Sequence, residues 1–198
     1  MRRIFIGTLV VLTIALINGC ANRKITRVDP NETIDLSGRW NDSDSRLVSE
    51  EMIGDLLTSA WIPRYLKAND KRPVVVVGLV ENKSHEHINS ETFIKDVEKA
   101  IIRDGNIRLV VAGEKRNELR KERAEQQDYA SPETTKKWGK ELGADFILQG
   151  TINSIVDSYK KQKVVTYQID LQLTNIETNE VVWMGDKNIK KQISDRVL

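Results

Sequence analysis

The sequence predicts a mixed α/β (α+β) fold: a single domain built on a mixed sheet of about five strands, with a C-terminal antiparallel meander and flanking helices. Three observations carry this expectation. The run Val74-Val75-Val76-Val77 is unbroken and β-branched, the pattern of a strand covered on both faces. A helical segment separates it from a second apolar run, Ile107 to Val111, which is the spacing of a parallel, right-handed crossover. From Asp145 to Lys190 the chain holds three strand-like segments joined by short polar connections, as in a meander.

In chain order, the first feature is an apolar run from Ile4 to Ile17 behind Met1, Arg2 and Arg3. At about 14 residues it is shorter than the ~20 a membrane-spanning helix needs and fits the core of an export signal. It ends at Cys20, the only cysteine of the 198 residues. Leu16-Ile17-Asn18-Gly19-Cys20 resembles the bacterial lipobox, with Asn18 standing where a smaller residue is favoured. That resemblance implies cleavage between Gly19 and Cys20, acylation of Cys20, and, with Ala21 following, sorting to the outer membrane. An ordinary signal followed by a chance cysteine is the plainer alternative. A catalytic thiol would need a histidine partner inside a folded site. The expected organisation is a signal peptide over 1–19, a lipidated flexible tether over 20–35 and a globular periplasmic domain over 36–198. The tether is polar and contains Pro30; about fifteen residues reach roughly 50 Å fully stretched.

Leu36 to Asp44 reads as an ordered lead-in. Asp44 or Ser45 is placed to cap a helix whose apolar positions are Val48, Met52, Ile53, Leu56, Leu57 and Ala60, ending or kinking at Ile62 before Pro63. After the valine strand comes a loop, Glu81 to Ile88. A helix follows, capped near Asn89 or Ser90, with Phe93, Val97, Ala100 and Ile101 on its apolar face and a stop at Asp104-Gly105. Glu114 to Asp128 is helical by propensity but polar nearly all round, hence an exposed element. A further helix is expected from Ser131 as cap and Pro132 in its first position to a stop at Gly143. The last three strands are expected over Asp145 to Val156, Val164 to Thr174 and Val181 to Lys190, with loops at Asp157–Lys163 and Asn175–Glu180.

Composition narrows the function. Removing Arg2 and Arg3 with the signal leaves 29 basic residues against 29 acidic ones, a balance that argues against a nucleic-acid partner. His85-Glu86-His87 is the best metal candidate, but two imidazoles seldom hold a metal and no cysteine is available to complete a zinc set. Asn41-Asp42-Ser43-Asp44 lacks the glycine and distal glutamate of a calcium loop. No G-x-S-x-G, phosphate-cradling glycine loop or H-E-x-x-H occurs. The expectation is therefore a non-enzymatic binding protein with no catalytic residue, no metal, no cofactor and no small-molecule substrate. Candidate partner contacts are Trp40 in the lead-in, His85 and His87, and the lysines Lys160, Lys161, Lys163, Lys187 and Lys190. Exposed lysines of this kind are read either as solvated and edge-blunting or as steering an acidic partner. Trp138 and Trp183 are expected to pack, and Trp40 to clip the lead-in onto the domain or to anchor an interface.

The segment from Asp35-Leu36-Ser37-Gly38-Arg39-Trp40 to Met52-Ile53 resembles the opening of the LpoB family. Arg72-Pro73 to Gly78, Asn82 to Ile88, Gly143-Ala144-Asp145-Phe146-Ile147-Leu148-Gln149-Gly150 and Glu177 to Trp183 extend the likeness to the last strand. The Gly143–Gly150 piece also resembles TolB-like and CsgG-like domains. The LpoB resemblance implies an outer-membrane lipoprotein that docks on a noncatalytic domain of a bifunctional, class A penicillin-binding protein. Docking there favours a more active state of the synthase and so regulates peptidoglycan synthesis, cell-wall growth and cell shape. The tether here is shorter than the proline-rich tether of the best-known members. The alternative from another class is a CsgG-like component of an outer-membrane secretion or assembly complex, which would need long amphipathic hairpins inserted into the domain.

Overall fold

The computed structural model describes residues 25–30, 32–131, 133–134 and 141–194. The described residues from Thr33 onward form one compact unit. Cys20, Gly19 and Trp138, and residues 132 and 135–140 of the helix expected after Ser131, lie outside the described residues.

The domain is a five-stranded mixed sheet in the order β2-β1-β3-β4-β5. Its elements, in chain order, are α1 (Asp42–Thr58), α2 (Trp61–Asn69), β1 (Val74–Asn82), α3 (Ser90–Asp104), β2 (Arg108–Val110), α4 (Gly113–Tyr129), β3 (Phe146–Tyr159), β4 (Gln162–Asn175) and β5 (Val181–Ser194). β1 runs parallel to both β2 and β3, and β3-β4-β5 is the expected antiparallel meander. Val74 to Val77 are all buried, as the unbroken valine run requires of a central strand.

One face of the sheet carries the core. Val75, Val77, Phe146, Leu148, Ile152, Val165, Tyr167, Ile169, Leu171, Leu173 and Trp183 meet Val48, Met52, Ile53 and Leu56 of α1, Trp61 and Ile62 of α2, and Phe93, Val97 and Ile101 of α3. A bulge in β1 at Gly78-Leu79 lets Val80 return to this face three residues after Val77. The other face is wet, with Gln149, Gln168, Asp186, Asn188 and Lys190 exposed beside Leu79, Ile155, Tyr159 and Met184.

Several boundaries differ from expectation for local reasons. The cap of α1 is Asn41, not Asp44 or Ser45. The Asn41 side chain accepts from the Asp44 N–H at 3.1 Å, and the Asp44 carboxylate accepts from the Asn41 N–H at 2.9 Å, a reciprocal capping box. Pro63 ends nothing: a new helix, α2, starts at Trp61, and Pro63 occupies its first turn, where no N–H partner is needed. β1 runs only into the start of the expected Glu81–Ile88 loop, ending at Asn82. The β3–β4 connection is a two-residue turn, Lys160-Lys161, because Tyr159 pairs directly with Gln162. The three last strands are therefore 14 residues each, roughly 47 Å long. As expected, Asn89 caps α3, Gly105 stops it in the left-handed region at φ 78°, and α4 has no buried residue.

Asp145 ties the sheet together. It accepts the Val74 N–H on its carboxylate at 2.8 Å, gives its own N–H to the Val74 carbonyl at 2.7 Å, and receives the Ile176 N–H on its carbonyl at 3.0 Å. Burial pushes the Asp145 carboxyl up, but the neighbouring Tyr65 hydroxyl, the bond from the Val74 N–H and the charge of Lys71 outweigh it, so its pKa is held below the ordinary 3.8. Five residues on, Gly150 lies so close to β4 that a Cβ would run into the Asp170 carbonyl.

Candidate partner-binding site

The lead-in runs across the helix side of β4 and β5 and is fastened there by three kinds of contact. Gly38, at φ 67°, passes so near Ile193 that any side chain would collide with it. The Trp40 ring meets Tyr167 edge-on at 5.5 Å, and the Trp40 N–H donates to Glu86 at 3.1 Å. Lys191 reaches out of β5 to donate to Asp35 at 2.7 Å and to the Arg39 carbonyl at 3.0 Å, and its ammonium lies 2.6 Å from Asp44. Burial pulls the Lys191 pKa down; the two carboxylates more than compensate and hold it above 10.5. The hydrogen bond from Lys191 in turn keeps Asp35 below its ordinary value.

The histidine loop closes over the same spot. The His85 N–H donates to the Ser154 hydroxyl at 3.0 Å, its Nδ1 lies 2.6 Å from that hydroxyl, and its ring stacks on Tyr167 at 6.4 Å. Its Nε2 lies 3.4 Å from Glu86, the carboxylate that also holds Trp40. Asn82 shapes the loop from behind, donating to the Glu86 carbonyl at 2.8 Å. Tyr167 lies beneath, with its hydroxyl buried and unpartnered among the described residues. Burial first, and then the Glu86 carboxylate, hold that phenol above its ordinary pKa. No group of three or more His, Cys, Asp or Glu side chains fit to hold a metal occurs among the described residues.

Farther along the same strands the β3–β4 hairpin projects beyond this clip. Ile155, Val156 and Tyr159 are exposed there, Tyr159 to 72%, and the Lys160 ammonium lies 5.2 Å from the Tyr159 ring centre. Lys160 holds φ 55°, a left-handed conformation that glycine or asparagine adopts more cheaply. An apolar tip rimmed by Lys160, Lys161 and Lys163 has the anatomy of a protein-binding surface.

The candidate residues thus fall in three places. Trp40, His85 and the exposed His87 gather at the clip, and Lys160, Lys161 and Lys163 lie at the hairpin end. Lys187 turns toward the helices and pairs with Glu51 of α1 at 2.5 Å, whereas Lys190 is exposed on the wet face. Trp183 packs, 7% exposed, with its indole N–H donating to Asp55 at 2.8 Å. Ile155, Val156 and Tyr159 were not among the sequence candidates. Ile155 and Val156 ended an expected strand and Tyr159 fell in an expected loop, and no local pattern marks them as exposed together.

The family model described as peptidoglycan-synthase activator LpoB matches residues 44–189, from the first turn of α1 into β5. The chain belongs to the LpoB family. Among solved structures it is similar to the LpoB C-terminal domain from Escherichia coli, at 19% identity and a TM-score of 0.42, over 77% of this chain and 99% of that one. It is similar also to the LpoB C-terminal domain from Salmonella enterica, at 16% identity and a TM-score of 0.40, over 74% and 98%. Lipoprotein GNA1162 from Neisseria meningitidis matches at 15% identity and a TM-score of 0.38, over 61% and 83%. No curated protein matches the sequence. Two of the LpoB-like motifs now have a physical reason: Gly143–Gly150 supplies the Asp145 tie and the close approach at Gly150, and Asn82–Ile88 is the loop that fastens Trp40.

Proposed function

We propose that this LpoB-family chain is an outer-membrane lipoprotein, anchored through acylated Cys20, which binds and activates a bifunctional peptidoglycan synthase without catalysis of its own. The observation that carries the reading is the family match over residues 44–189, which takes in the histidine loop, the hairpin and most of the sheet. The lipobox-like Leu16–Cys20 supports the anchor. A surface rather than a cleft carries the work: the exposed apolar end of β3 with its lysine rim is the docking face, while Trp40, His85 and His87 belong to the clip on the helix side of the sheet. Activation then requires only that the synthase's active conformation bind this face more tightly than its resting one. The connections of the meander, Lys160-Lys161 and residues 176–180, are too short to insert a membrane-spanning hairpin of the CsgG-like alternative.

The test is capture from envelope extract of the source organism with the protein lacking residues 1–20. The expected result is recovery of a bifunctional penicillin-binding protein, reduced at least fivefold with Tyr159→Ala. Recovery of no such synthase contradicts the reading. Separately, Cys20→Ala should move the full chain out of the outer-membrane fraction; retention there would show another anchor.

A further inference from the structure

β5 is the last strand of the sheet, 14 residues long, and among the described residues no other element bonds its backbone on the free side. Such an edge templates another strand unless it is guarded, and lysine is the usual guard. Two of its lysines do not serve that purpose: Lys187 and Lys191 turn onto the helix side and are spent on Glu51, Asp35 and Asp44. The charges left on the wet face are Asp186 and Lys190, four residues apart with Asn188 between them.

That spacing is self-complementary. Two copies of an edge strand pairing antiparallel in one continuous sheet keep wet-face residues opposite wet-face residues. A dyad at Asp186 would oppose two aspartates, and one at Lys190 two lysines. A dyad at Asn188 sets Asp186 of each copy opposite Lys190 of the other, an unlike-charge pair on either side of an asparagine pair. On the helix side the same register opposes Gly185 to Lys191 and Lys187 to Ile189, with no like charges facing. Leu47 lies one turn before Glu51 on the flank of α1 that reaches β5, and it is 48% exposed, an apolar contact available above the new pairing.

We propose that a second copy of this chain adds to β5, antiparallel and centred on Asn188, making one ten-stranded sheet with paired Asp186–Lys190 contacts. This goes beyond synthase activation and stands independently of it, because the hairpin tip and the β5 edge are different surfaces.

The test uses the full chain carrying Asn188→Cys, with the unsubstituted chain as the control for Cys20. Cross-strand neighbours lie close enough for a disulfide. Mild oxidation should give a covalent dimer. Asp186→Lys or Lys190→Asp alone should weaken dimer formation about tenfold, by turning two attractive pairs into two repulsive ones. Asp186→Lys together with Lys190→Asp should restore it, which misfolding or a foreign partner would not. A chain that stays monomeric, or crosslinks only to other proteins, overturns the proposal. So does a dimer indifferent to either single reversal. Circular dichroism on each variant separates loss of pairing from loss of fold.

Discussion

The ammonium of Lys191 lies 2.6 Å from the carboxylate of Asp44, joining the edge strand to the first turn of α1. Both side chains are nearly buried, at 10% and 8% exposure. Asp44 also accepts from Asn41, so one carboxylate serves as half of a capping box and as the seat of the ion pair. Lys191 binds Asp35 and the Arg39 carbonyl as well, so the chain entering the domain is fastened at the point where the first helix begins.

Removing that lysine should therefore act on stability and on the lead-in together. Lys191→Met leaves Asp44 buried beside an apolar side chain and should cost about 3 kcal/mol, the lower end for a broken buried pair because Asn41 still donates to Asp44. Urea unfolding of the protein lacking residues 1–20 measures this. A loss below about 0.5 kcal/mol, typical of a surface pair, would show that the contact is solvent-screened.

The same pair sets a pH window. Lys191 is held above 10.5 in the fold, so its contribution is complete below that value and is lost as pH rises through its folded pKa. Asp35 is held below 3.8, so its contribution is present above that value and is lost as pH falls through its folded pKa. The stability gap between the unsubstituted protein and Lys191→Met should be flat between about pH 5 and pH 9 and narrow outside it. A gap that changes around neutral pH would assign the effect to another group.

Trp40 should govern whether the lead-in stays docked. Trp40→Ala removes the edge-on contact with Tyr167 and leaves the backbone N–H of residue 40 on Glu86 as the segment's remaining hold there, so trypsin should cut after Arg39 at least fivefold faster. The cost in global stability should be smaller than the 3–5 kcal/mol of a fully buried tryptophan, since Trp40 is half-buried. Unchanged cleavage would mean that Lys191 and the backbone bond to Glu86 secure the segment without the indole.

At the turn, Lys160 occupies a left-handed position better suited to glycine. Lys160→Gly should stabilise the fold by up to about 1 kcal/mol while weakening synthase binding. A more stable protein that binds as tightly would remove Lys160 from the docking face.

How far the sequence foretold this domain varies with how local the cause is. Val74 to Val77 announce a central strand because the unbroken valine run reports burial on both faces. Asn89 and Gly105 bound α3 because capping is decided within a few residues. The cap of α1 was less legible, since Asn41, Asp42, Ser43, Asp44 and Ser45 are all competent and only the reciprocal bonds of Asn41 and Asp44 choose between them. The polar stretch from Asp157 to Lys163 read as a loop, yet pairing with β4 carries β3 to Tyr159. Neither the inward turn of Lys187 and Lys191 nor the exposed face around Tyr159 could be read without knowing how β5 and β3 lie against their neighbours.

The measurement closest to the central claim is the glycan-polymerising rate of a purified bifunctional synthase from the same organism, with and without the protein lacking residues 1–20. The account predicts a saturable rise in rate, with Tyr159→Ala needing about tenfold more protein for the same effect, as expected for an interface anchor worth more than about 1 kcal/mol. An unchanged rate at saturating protein, together with no measurable binding, would contradict it.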